Sequence, residues 1–352
     1  MKIVFTIPSL NFGGAERVVS VLANELVKCH EVSIILTSGN IFSAYPLDEK
    51  VNLHALPSEK GALKSWLEYR KICKNIAPNV NFAFMTETGI MSALFLAGTG
   101  IPVVISERND PTGADQILNL KFKILNMFAQ RLAKYYVFQS EGAKSYYPKS
   151  VQKKSCIILN PLEVEKLPQR DYSNIDNRIV SVGRLHPQKN HSMLIKAFAQ
   201  SKSKDTHTLH IYGEGVLRAE LEKLVLDLGI SDKVYLEGNS KTVHNDIKNA
   251  KLFAFTSDYE GLPNALMEAM AIGVPCVSTD CSPGGARMLI DNGENGALIP
   301  CGDIAALSAT FDNLLNDSVA LAKYSANGQG LKERVSVENI SRKWLECIDQ
   351  MK

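Results

Sequence analysis

The sequence predicts an α/β protein made of two doubly wound, Rossmann-like domains that face each other across a central cleft. Three observations favour this fold class. The chain has 352 residues, which is long for one domain. Short apolar runs alternate with longer amphipathic stretches, as in a parallel sheet covered by helices. The alternation occurs in two series, separated by a polar, proline-containing break at residues 160–177.

The first series predicts an N-terminal domain over residues 1–165. Two of its predicted helices are Ala15–Lys28 and a long one from about Gln116 to Ala133. The predicted strands are Lys2–Ile7, Glu31–Leu36, Val80–Phe84, Pro102–Ser106, Tyr135–Gln139 and Ser155–Leu159.

The second series predicts a C-terminal domain over residues 178–336, which follows a linker at 166–177. Residues 337–352 form a predicted helix that carries Trp344 on an apolar face and packs back on the N-terminal domain. The other predicted helices are Asn190–Ser201, Val216–Leu228, Val243–Asn249, Asn264–Ala271 and Ile304–Asn316. The predicted strands are Arg178–Val182, Thr208–Tyr212, Val234–Glu237, Leu252–Phe255, Pro275–Ser278 and Ala297–Ile299.

Composition and charge exclude several classes of protein. The net charge of +2 gives no nucleic-acid-binding footprint. The seven cysteines form no CxxC pair and no zinc-site spacing, so we expect a reducing, cytoplasmic setting. The N-terminal apolar run is too short for a signal peptide, and no run reaches the length of a membrane span.

The first candidate site is the glycine pair Gly13-Gly14, which follows the first strand and opens the first helix. Glycine allows a ligand to approach the backbone closely, and a helix N-terminus favours an anion. The motif is not G-x-G-x-x-G, so a purely structural turn is an equal alternative.

The second candidate is the segment Gly183–Asn190, at the end of the first strand of the second domain. It carries Arg184 and Lys189, two cations that can neutralise a diphosphate leaving group if they converge. The alternative is that both are solvated surface cations.

The third candidate is the segment Tyr259–Ala271, a loop that enters a helix with Pro263 in its first turn. Glu260 precedes the helix and Glu268 lies inside it, so the two carboxylates can reach different parts of one ligand. Because exposed helical glutamates are common, this spacing alone is a weak signal. The glycine-rich turn Thr279–Arg287 also follows a strand and suggests a backbone close to a ligand, whereas Asp291–Gly296 reads as a structural turn.

Together, these motifs resemble the retaining GT-B glycosyltransferases of glycosyltransferase family four, which includes glycogen, sucrose-phosphate and bacterial surface-polysaccharide enzymes. The resemblance covers nearly the whole chain, in order. The matching positions are Gly13-Gly14, Asn160-Pro161, Gly183-Arg184 through Lys189, Tyr212-Gly213-Glu214-Gly215, the E-x7-E pair Glu260 and Glu268, and the turn Asp291–Gly296.

The resemblance implies a metal-independent, cofactor-free hexosyltransferase of surface polysaccharide or glycoconjugate biosynthesis. The implied donor is a nucleotide diphosphate sugar, with UDP favoured, that carries a hexose or an N-acetylhexosamine. The implied acceptor is a glycan or a lipid-linked saccharide. No Asp-x-Asp sequence is present to hold a metal ion.

The resemblance also assigns residue roles. Arg184 and Lys189 would bind the diphosphate and stabilise its departing charge, and Glu268 would hold the ribose hydroxyls. Glu260 would contact the donor sugar, and a same-face internal-return mechanism is favoured over a nucleophilic role for it. The implied donor-binding set is Gly13, Gly14, Gly183, Arg184, Lys189, Gly213, Glu214, Glu260, Gly261, Leu262, Pro263, Asn264, Ala265 and Glu268.

One segment departs from the family pattern. Many relatives carry a His at the end of the N-domain strand that is written here as Val103–Asp110, and this sequence has Ser-Glu-Arg-Asn there instead. Glu107 and Arg108 are therefore candidates for the acceptor side. A buried ion pair of Glu107 with Arg108 or another cation is an equal alternative.

A basic, apolar stretch at Leu118–Lys154 suggests contact with anionic lipid or a lipid pyrophosphate, on the inner face of the cell membrane. The alternative is a helix packed on its own sheet. The acid in this stretch is Glu141. The basic residues are Lys121, Lys123, Arg131, Lys134, Lys144, Lys149, Lys153 and Lys154. The apolar residues that interleave with this charge are Ile117, Leu118, Leu120, Phe122, Ile124, Leu125, Met127 and Phe128.

Two rival functions fit the predicted fold. A nucleotide-sugar epimerase would interconvert donors without an acceptor, but it explains the E-x7-E pair poorly. A non-catalytic nucleotide-binding subunit would show no turnover, and the intact Arg184, Lys189, Glu260 and Glu268 argue against it.

Overall fold

The structure, a computed structural model, describes residues 1–11, 13–57, 61–108, 110–111 and 120–351. It contains two compact units. Unit 1 comprises Met1–Glu163 and Val335–Lys352, and unit 2 comprises Val164–Arg334. Unit 2 is thus an insertion within the sequence of unit 1. The amide of Leu162 donates to the carbonyl of Val335 at 2.7 Å, so the chain leaves unit 1 and returns to it at adjacent points.

In the described part of unit 1, seven parallel strands form one sheet in the order β3-β2-β1-β4-β5-β6-β7. Helices cover both faces of such a sheet, which is why Val80–Phe84 is buried at every position. The strands are β1 (Lys2–Ile7), β2 (Glu31–Leu36), β3 (Asn52–Ala55), β4 (Val80–Phe84), β5 (Val103–Ser106), β6 (Tyr135–Phe138) and β7 (Ser155–Ile157).

The helices of unit 1 include Val337–Asp349, which follows unit 2 in the sequence. Trp344 in this helix is fully buried, and its ring centroid lies 4.9 Å from Phe82 and 5.4 Å from Phe84. Of the predicted helices, residues 116–119 and Lys352 lie outside the described residues. The helices are α1 (Gly14–Leu26), α2 (Ala62–Ile76), α3 (Thr86–Phe95), α4 (Leu120–Leu132), α5 (Glu141–Tyr146), α6 (Lys149–Gln152) and, after unit 2, α14 (Val337–Asp349).

In unit 2, all of which is described, six parallel strands form a sheet in the order β10-β9-β8-β11-β12-β13. The strands are β8 (Arg178–Val182), β9 (Thr208–Tyr212), β10 (Val234–Gly238), β11 (Leu252–Phe255), β12 (Cys276–Thr279) and β13 (Ala297–Ile299). The helices are α7 (His191–Gln200), α8 (Arg218–Asp227), α9 (Val243–Ile247), α10 (Asn264–Ile272), α11 (Ile304–Leu314), α12 (Ser318–Gln329) and α13 (Leu331–Val335), the last of which reaches the boundary with unit 1.

Residues 166–177, which the sequence predicts as a linker, lie in unit 2. Arg170 donates to the carbonyls of Lys248 and Ala250 at 2.8 Å each, so this segment is anchored to the residues that directly follow α9. The prediction of two doubly wound, Rossmann-like domains is confirmed by the two parallel sheets.

Each sheet has one point at which the strand order reverses. In unit 1 this switch point lies between β1 and β4, and in unit 2 it lies between β8 and β11. The chain crosses to opposite faces of the sheet from the two strands, which opens a crevice outside their carboxyl ends, and ligands of doubly wound folds bind there. The loops that follow β8 and β11 are therefore the first place to look for a site.

Candidate active site

The loops that follow β8 and β11 are hydrogen-bonded to each other. The Asn190 side chain donates to a carboxylate oxygen of Asp258 at 2.8 Å, and the Asp258 amide donates to the Gln188 carbonyl at 2.9 Å. The Thr256 hydroxyl donates to the Lys189 carbonyl at 3.0 Å. These contacts hold residues 188–190 against residues 256–258 at the switch point.

Glycines in two further loops permit this close packing. A Cβ at Gly213, whose φ is +142°, would lie 2.0 Å from the Gly183 carbonyl oxygen. A Cβ at Gly285 would lie 1.9 Å from the Gly261 carbonyl oxygen. The glycine-rich turn that the sequence placed near a ligand thus lies directly against the Glu260–Gly261 backbone, and the Glu260 amide donates to the Ser282 carbonyl at 2.9 Å.

Lys189 and Glu260 form an ion pair across the two loops, although they are 71 positions apart in the sequence. Both side chains are largely buried, with 16% and 13% of their surface exposed. The Ser257 hydroxyl donates to the same Glu260 oxygen at 3.2 Å, and the Lys189 ammonium lies 5.0 Å from the centre of the Phe255 ring. An ammonium has three donors, so Lys189 can pair with Glu260 and still donate to a phosphate oxygen.

Arg184 differs from Lys189 because its side chain is exposed. Its guanidinium makes no hydrogen bond or ion pair with the residues that the structure describes. Five N–H donors are therefore free at the end of β8, in a geometry that suits two oxygens of one phosphate group.

The segment after Glu260 leads into α10. Leu262 and Pro263 are buried, whereas Gly261, Asn264 and Ala265 are partly exposed at the start of the helix. The first amides of a helix lack intrahelical partners and favour a negatively charged or hydroxyl-bearing ligand. The predicted donor-binding residues 260–265 thus connect the carboxyl end of β11 to the N-terminus of α10.

Glu268 lies just over one turn into α10 and is only 7% exposed. His244 in α9 places Nε2 3.1 Å from a Glu268 carboxylate oxygen. Glu214, after β9, is half-exposed and pairs with Arg218 at 3.2 Å. Glu268 is thus buried and Glu214 is half-exposed, and each contacts a basic side chain.

Gly13 and Gly14 belong to unit 1, where they open α1. Gly13 has extended backbone; its amide donates to the Tyr45 hydroxyl at 3.2 Å, and that hydroxyl donates to the Gly13 carbonyl at 2.9 Å. A Cβ at Gly13 would lie 2.1 Å from a carboxylate oxygen of Glu16. Burial raises the pKa of that Glu16 carboxyl. Phe12, in the same motif, lies outside the described residues.

Glu107 and Arg108 follow β5 in unit 1, and both are buried. Glu107 accepts hydrogen bonds from the Thr86 and Tyr147 hydroxyls at 2.8 and 2.9 Å. The Arg108 guanidinium lies 4.8 Å from the centre of the Phe84 ring and 5.2 Å from the Trp344 ring, and it donates to Asn160 at 3.0 Å. Burial lowers the pKa of Arg108 to about 9, although the Glu107 charge opposes that shift. Their burial favours an internal, charge-compensating role, and contact with an acceptor stays a prediction.

Three side chains of this region were not predicted. Ser257 and Asp258 directly follow β11, so their position at a strand end was a usable signal. His244 comes from a different part of the sequence, and nothing in its spacing to Glu268 indicates their contact.

A cavity of about 690 Å³ in unit 1 lies at the amino ends of the sheet's strands, where Asn79, Pro102 and Lys134 precede β4, β5 and β6. None of the predicted catalytic or donor-binding residues lines it. Within the described ranges, no group of three or more His, Cys, Asp or Glu side chains is arranged to hold a metal ion. Among the same residues, no helix is both long and apolar enough to cross a membrane.

Comparison with known proteins places these features in a family. Residues 166–331, nearly all of unit 2, match the family described as glycosyl transferases group 1. The chain is 31% identical, over 100% of its length and 99% of the relative, to a Campylobacter jejuni GalNAc-alpha-(1->4)-GalNAc-alpha-(1->3)-diNAcBac-PP-undecaprenol alpha-1,4-N-acetyl-D-galactosaminyltransferase. It is 32% identical, over 99% of both chains, to an N-acetylgalactosamine-N,N'-diacetylbacillosaminyl-diphospho-undecaprenol 4-alpha-N-acetylgalactosaminyltransferase of the same organism.

A similar fold occurs in a solved structure, that of HepE from Anabaena in complex with UDP. The TM-score is 0.83 at 19% identity, and the match covers 99% of this chain and 100% of HepE. The predicted GT-B fold class is therefore confirmed. The chain belongs to the group 1 glycosyl transferases and is a glycosyltransferase.

Proposed function

We propose that this glycosyltransferase moves a hexose or N-acetylhexosamine from a UDP-sugar to a lipid-linked saccharide, with retention of anomeric configuration and without a metal ion. One observation carries the donor half of the proposal. At the unit 2 switch point, Lys189 of the loop after β8 pairs with Glu260 of the loop after β11, and Arg184 is exposed in the first of these loops.

These side chains suit the departure of a nucleoside diphosphate. The exposed guanidinium of Arg184 and the free donors of Lys189 would bind the two phosphate groups and stabilise the negative charge that develops as the glycosidic bond breaks. Two fixed cations can supply what a divalent metal ion supplies in other transferases. Glu268, buried beside His244, would accept hydrogen bonds from the ribose hydroxyls.

Glu260 would orient the sugar rather than attack it. Its carboxylate already accepts hydrogen bonds from Lys189 and Ser257, which weakens it as a nucleophile. We therefore favour a same-face transfer, in which the acceptor hydroxyl attacks from the side of the leaving group and passes its proton to a departing phosphate oxygen. The amides after Glu260 would hold the sugar hydroxyls.

The acceptor half rests on the relatives and on helix α4. The two Campylobacter relatives are named for acceptors on diphospho-undecaprenol. Phe122, Leu125 and Ala129 of α4 pack on the core of unit 1. A second apolar row of the same helix is exposed, and it consists of Leu120, Ile124, Met127, Phe128 and Leu132, with 48–75% of each residue's surface exposed.

Cations flank this exposed row. Lys121, Lys123 and Arg131 lie on the same helix and are also exposed. An apolar row with basic flanks binds an anionic membrane surface, where a lipid-linked acceptor would be held. Ile117 and Leu118, which the sequence assigns to the same surface, lie outside the described residues.

The donor proposal is tested with a panel of UDP-, GDP- and ADP-sugars and an undecaprenyl-diphosphate-linked saccharide. We expect turnover with a UDP-sugar, a retained anomeric configuration in the NMR spectrum of the product, and undiminished activity in excess EDTA. Inversion would contradict the same-face mechanism. Interconversion of donor sugars without an acceptor would indicate an epimerase, and absence of turnover with any pair would indicate a binding subunit.

The membrane proposal is tested by co-sedimentation with vesicles of phosphatidylglycerol at low salt. We expect wild type to sediment and the double variant Met127→Ser/Phe128→Ser to remain in the supernatant. Leu226→Ser in unit 2 is the matched control, because Leu226 is a helical leucine with 69% of its surface exposed. If the α4 variant sediments like wild type, this helix is not the membrane contact.

A further inference from the structure

Two cysteines from distant parts of the sequence meet in unit 1. The sulfur atoms of Cys156 in β7 and Cys347 in α14 lie 3.2 Å apart, although 191 positions separate them in the chain. Both are free thiols. A disulfide bond requires the sulfurs to approach to about 2.05 Å, so about 1 Å of movement between these two side chains would form one.

The two thiols differ in access. Cys347 is 1% exposed, and its sulfur also lies 3.4 Å from the Lys343 carbonyl oxygen, to which it donates. Cys156 is only partly buried, which makes it the more accessible of the two thiols. The pair therefore consists of a more accessible thiol in contact with a buried one.

The electrostatic surroundings also distinguish them. The hydrogen bond shared with Cys347 lowers the pKa of Cys156, and the positive charges of Lys144 and Arg108 act in the same direction. The shared hydrogen bond and burial raise the pKa of Cys347. Cys156 is thus the thiol with more thiolate character, and the thiolate is the nucleophile in disulfide exchange.

The other buried cysteines lack such a setting. Burial raises the pKa of Cys73 and of Cys281 to about 12, which makes both thiols unreactive. Cys29 and Cys301 are exposed, and they provide internal controls for simple accessibility.

We propose that Cys156 and Cys347 form a redox modification site that small-molecule disulfides such as oxidised glutathione convert to an internal disulfide bond. The Cys156 thiolate attacks one sulfur of the small disulfide, whose S–S bond breaks and releases one thiolate. Cys347 then gives up its proton, attacks the Cys156 sulfur and displaces the second small thiolate. Two protein thiols are oxidised, one small disulfide is reduced to two thiols, and those thiols take up the two protons.

The bond would tie α14 to β7 covalently. The closed loop would contain the whole of unit 2, because the chain leaves unit 1 after Glu163 and returns at Val335. A crosslink that closes so long a loop removes much entropy from the unfolded chain. It would also hold Trp344 against Phe82 and Phe84, next to the Arg108 guanidinium.

The experiment treats the full chain with oxidised glutathione and maps the products by mass spectrometry. We expect a Cys156–Cys347 peptide, a mass loss of two hydrogen atoms, and a rise in Tm of about 5 °C or more that dithiothreitol reverses. Cys347→Ser should stop at the glutathione adduct on Cys156. Cys156→Ser should leave Cys347 unmodified, and Cys29→Ser should behave as wild type.

Two outcomes would overturn the proposal. One is glutathione on Cys29 or Cys301 while Cys156 and Cys347 stay reduced. The other is a Cys347→Ser variant whose Cys156 reacts no faster than Cys29. If Cys347→Ser does not fold, the Cys156→Ser variant and the wild-type peptide map decide the question alone.

Discussion

Both units have charged residues at the carboxyl ends of their central strands, but these side chains are buried in unit 1 and at least partly exposed in unit 2. In unit 1, Glu107 and Arg108 are 1% and 6% exposed and are enclosed by hydroxyls, an amide and two aromatic rings. In unit 2, Arg184 is exposed, and Lys189 and Glu260 keep part of their surface open to solvent.

The difference shows that position at a strand end does not by itself make a ligand site. Glu107 already accepts hydrogen bonds from protein hydroxyls. Arg108 is buried against two aromatic rings, although its Nε and one Nη have no hydrogen-bond partner among the described residues, so neither side chain is open to a ligand. The charges of unit 2 retain unused donors, and a diphosphate can satisfy them. Substitutions in unit 2 should therefore affect rate, and substitutions at Arg108 should affect stability.

The largest effect is expected for Lys189→Ala and Arg184→Ala. Each removes a cation from the departing diphosphate, so we expect kcat/KM to fall by about three orders of magnitude. Steady-state kinetics with a saturating acceptor measures this loss, and circular dichroism checks the fold. Lys196→Ala, an exposed lysine on α7, should be neutral. Wild-type turnover by either variant would remove these residues from the site.

Arg108→Met should change stability instead. The variant leaves Glu107 buried without its neighbouring positive charge, and we expect the free energy of unfolding to fall by about 3–5 kcal/mol. Urea denaturation measures this, with Arg184→Met as the matched control at less than about 0.5 kcal/mol. Addition of Glu107→Gln should recover part of the loss. A stable Arg108→Met enzyme with a raised acceptor KM would instead support direct acceptor contact.

The pH dependence of stability distinguishes the buried His191 from the exposed His186, both of which lie close to Lys189 in the sequence. Burial lowers the pKa of His191, which begins α7 directly after Lys189 and Asn190, to about 4 from an ordinary value of 6.5. Between these values the unfolded chain binds a proton that the folded chain does not, so stability is full above pH 6.5 and falls as the pH drops towards 4.

The expected contribution of His191 to this loss is about 3 kcal/mol. It is read from denaturation midpoints measured between pH 7 and 4. His191→Leu should flatten the curve, whereas His186→Leu, at an exposed position in the same loop, should not. If both variants follow the wild-type curve, His191 is not the group responsible.

The smallest effect is expected at Glu268. Glu268→Gln keeps the shape of the side chain but weakens its hydrogen bonds, so we expect about a tenfold loss of UDP affinity with little change in kcat. Calorimetric titration with UDP measures it, and Glu222→Gln on the exposed face of α8 is the control. A kcat loss as large as that of Lys189→Ala would mean that Glu268 acts on the reacting atoms.

Most of the fold could be predicted from the sequence because parallel strands are buried on both faces and form continuous apolar runs. Val80–Phe84 and Leu252–Phe255 are such runs, and their predicted bounds match the structure. β3 at Asn52–Ala55 was not predicted, because an edge strand that is only partly buried lacks this pattern. α2 was missed for a related reason, since its buried face is only Ser65, Tyr69 and Cys73.

The candidate site was predictable to a lesser degree. The order of motifs indicated Arg184, Lys189 and Glu260 as site residues. It did not indicate that Lys189 and Glu260 form an ion pair or that the Arg184 side chain is exposed. The reason that Gly213 must be glycine is a carbonyl oxygen 30 positions earlier in the chain, and no local pattern contains that contact. The His244–Glu268 contact is likewise produced by helix packing.

The insertion of unit 2 into unit 1 has a consequence for synthesis on the ribosome. β1 to β7 emerge first, but α14 is translated only after the 171 residues of unit 2, from Val164 to Arg334. At about 5–20 residues per second, this delay is on the order of ten to thirty seconds. During that time Phe82 and Phe84 lack Trp344, and Arg108 lacks one of its two aromatic rings. The N-terminal unit is therefore completed last, although its synthesis begins first.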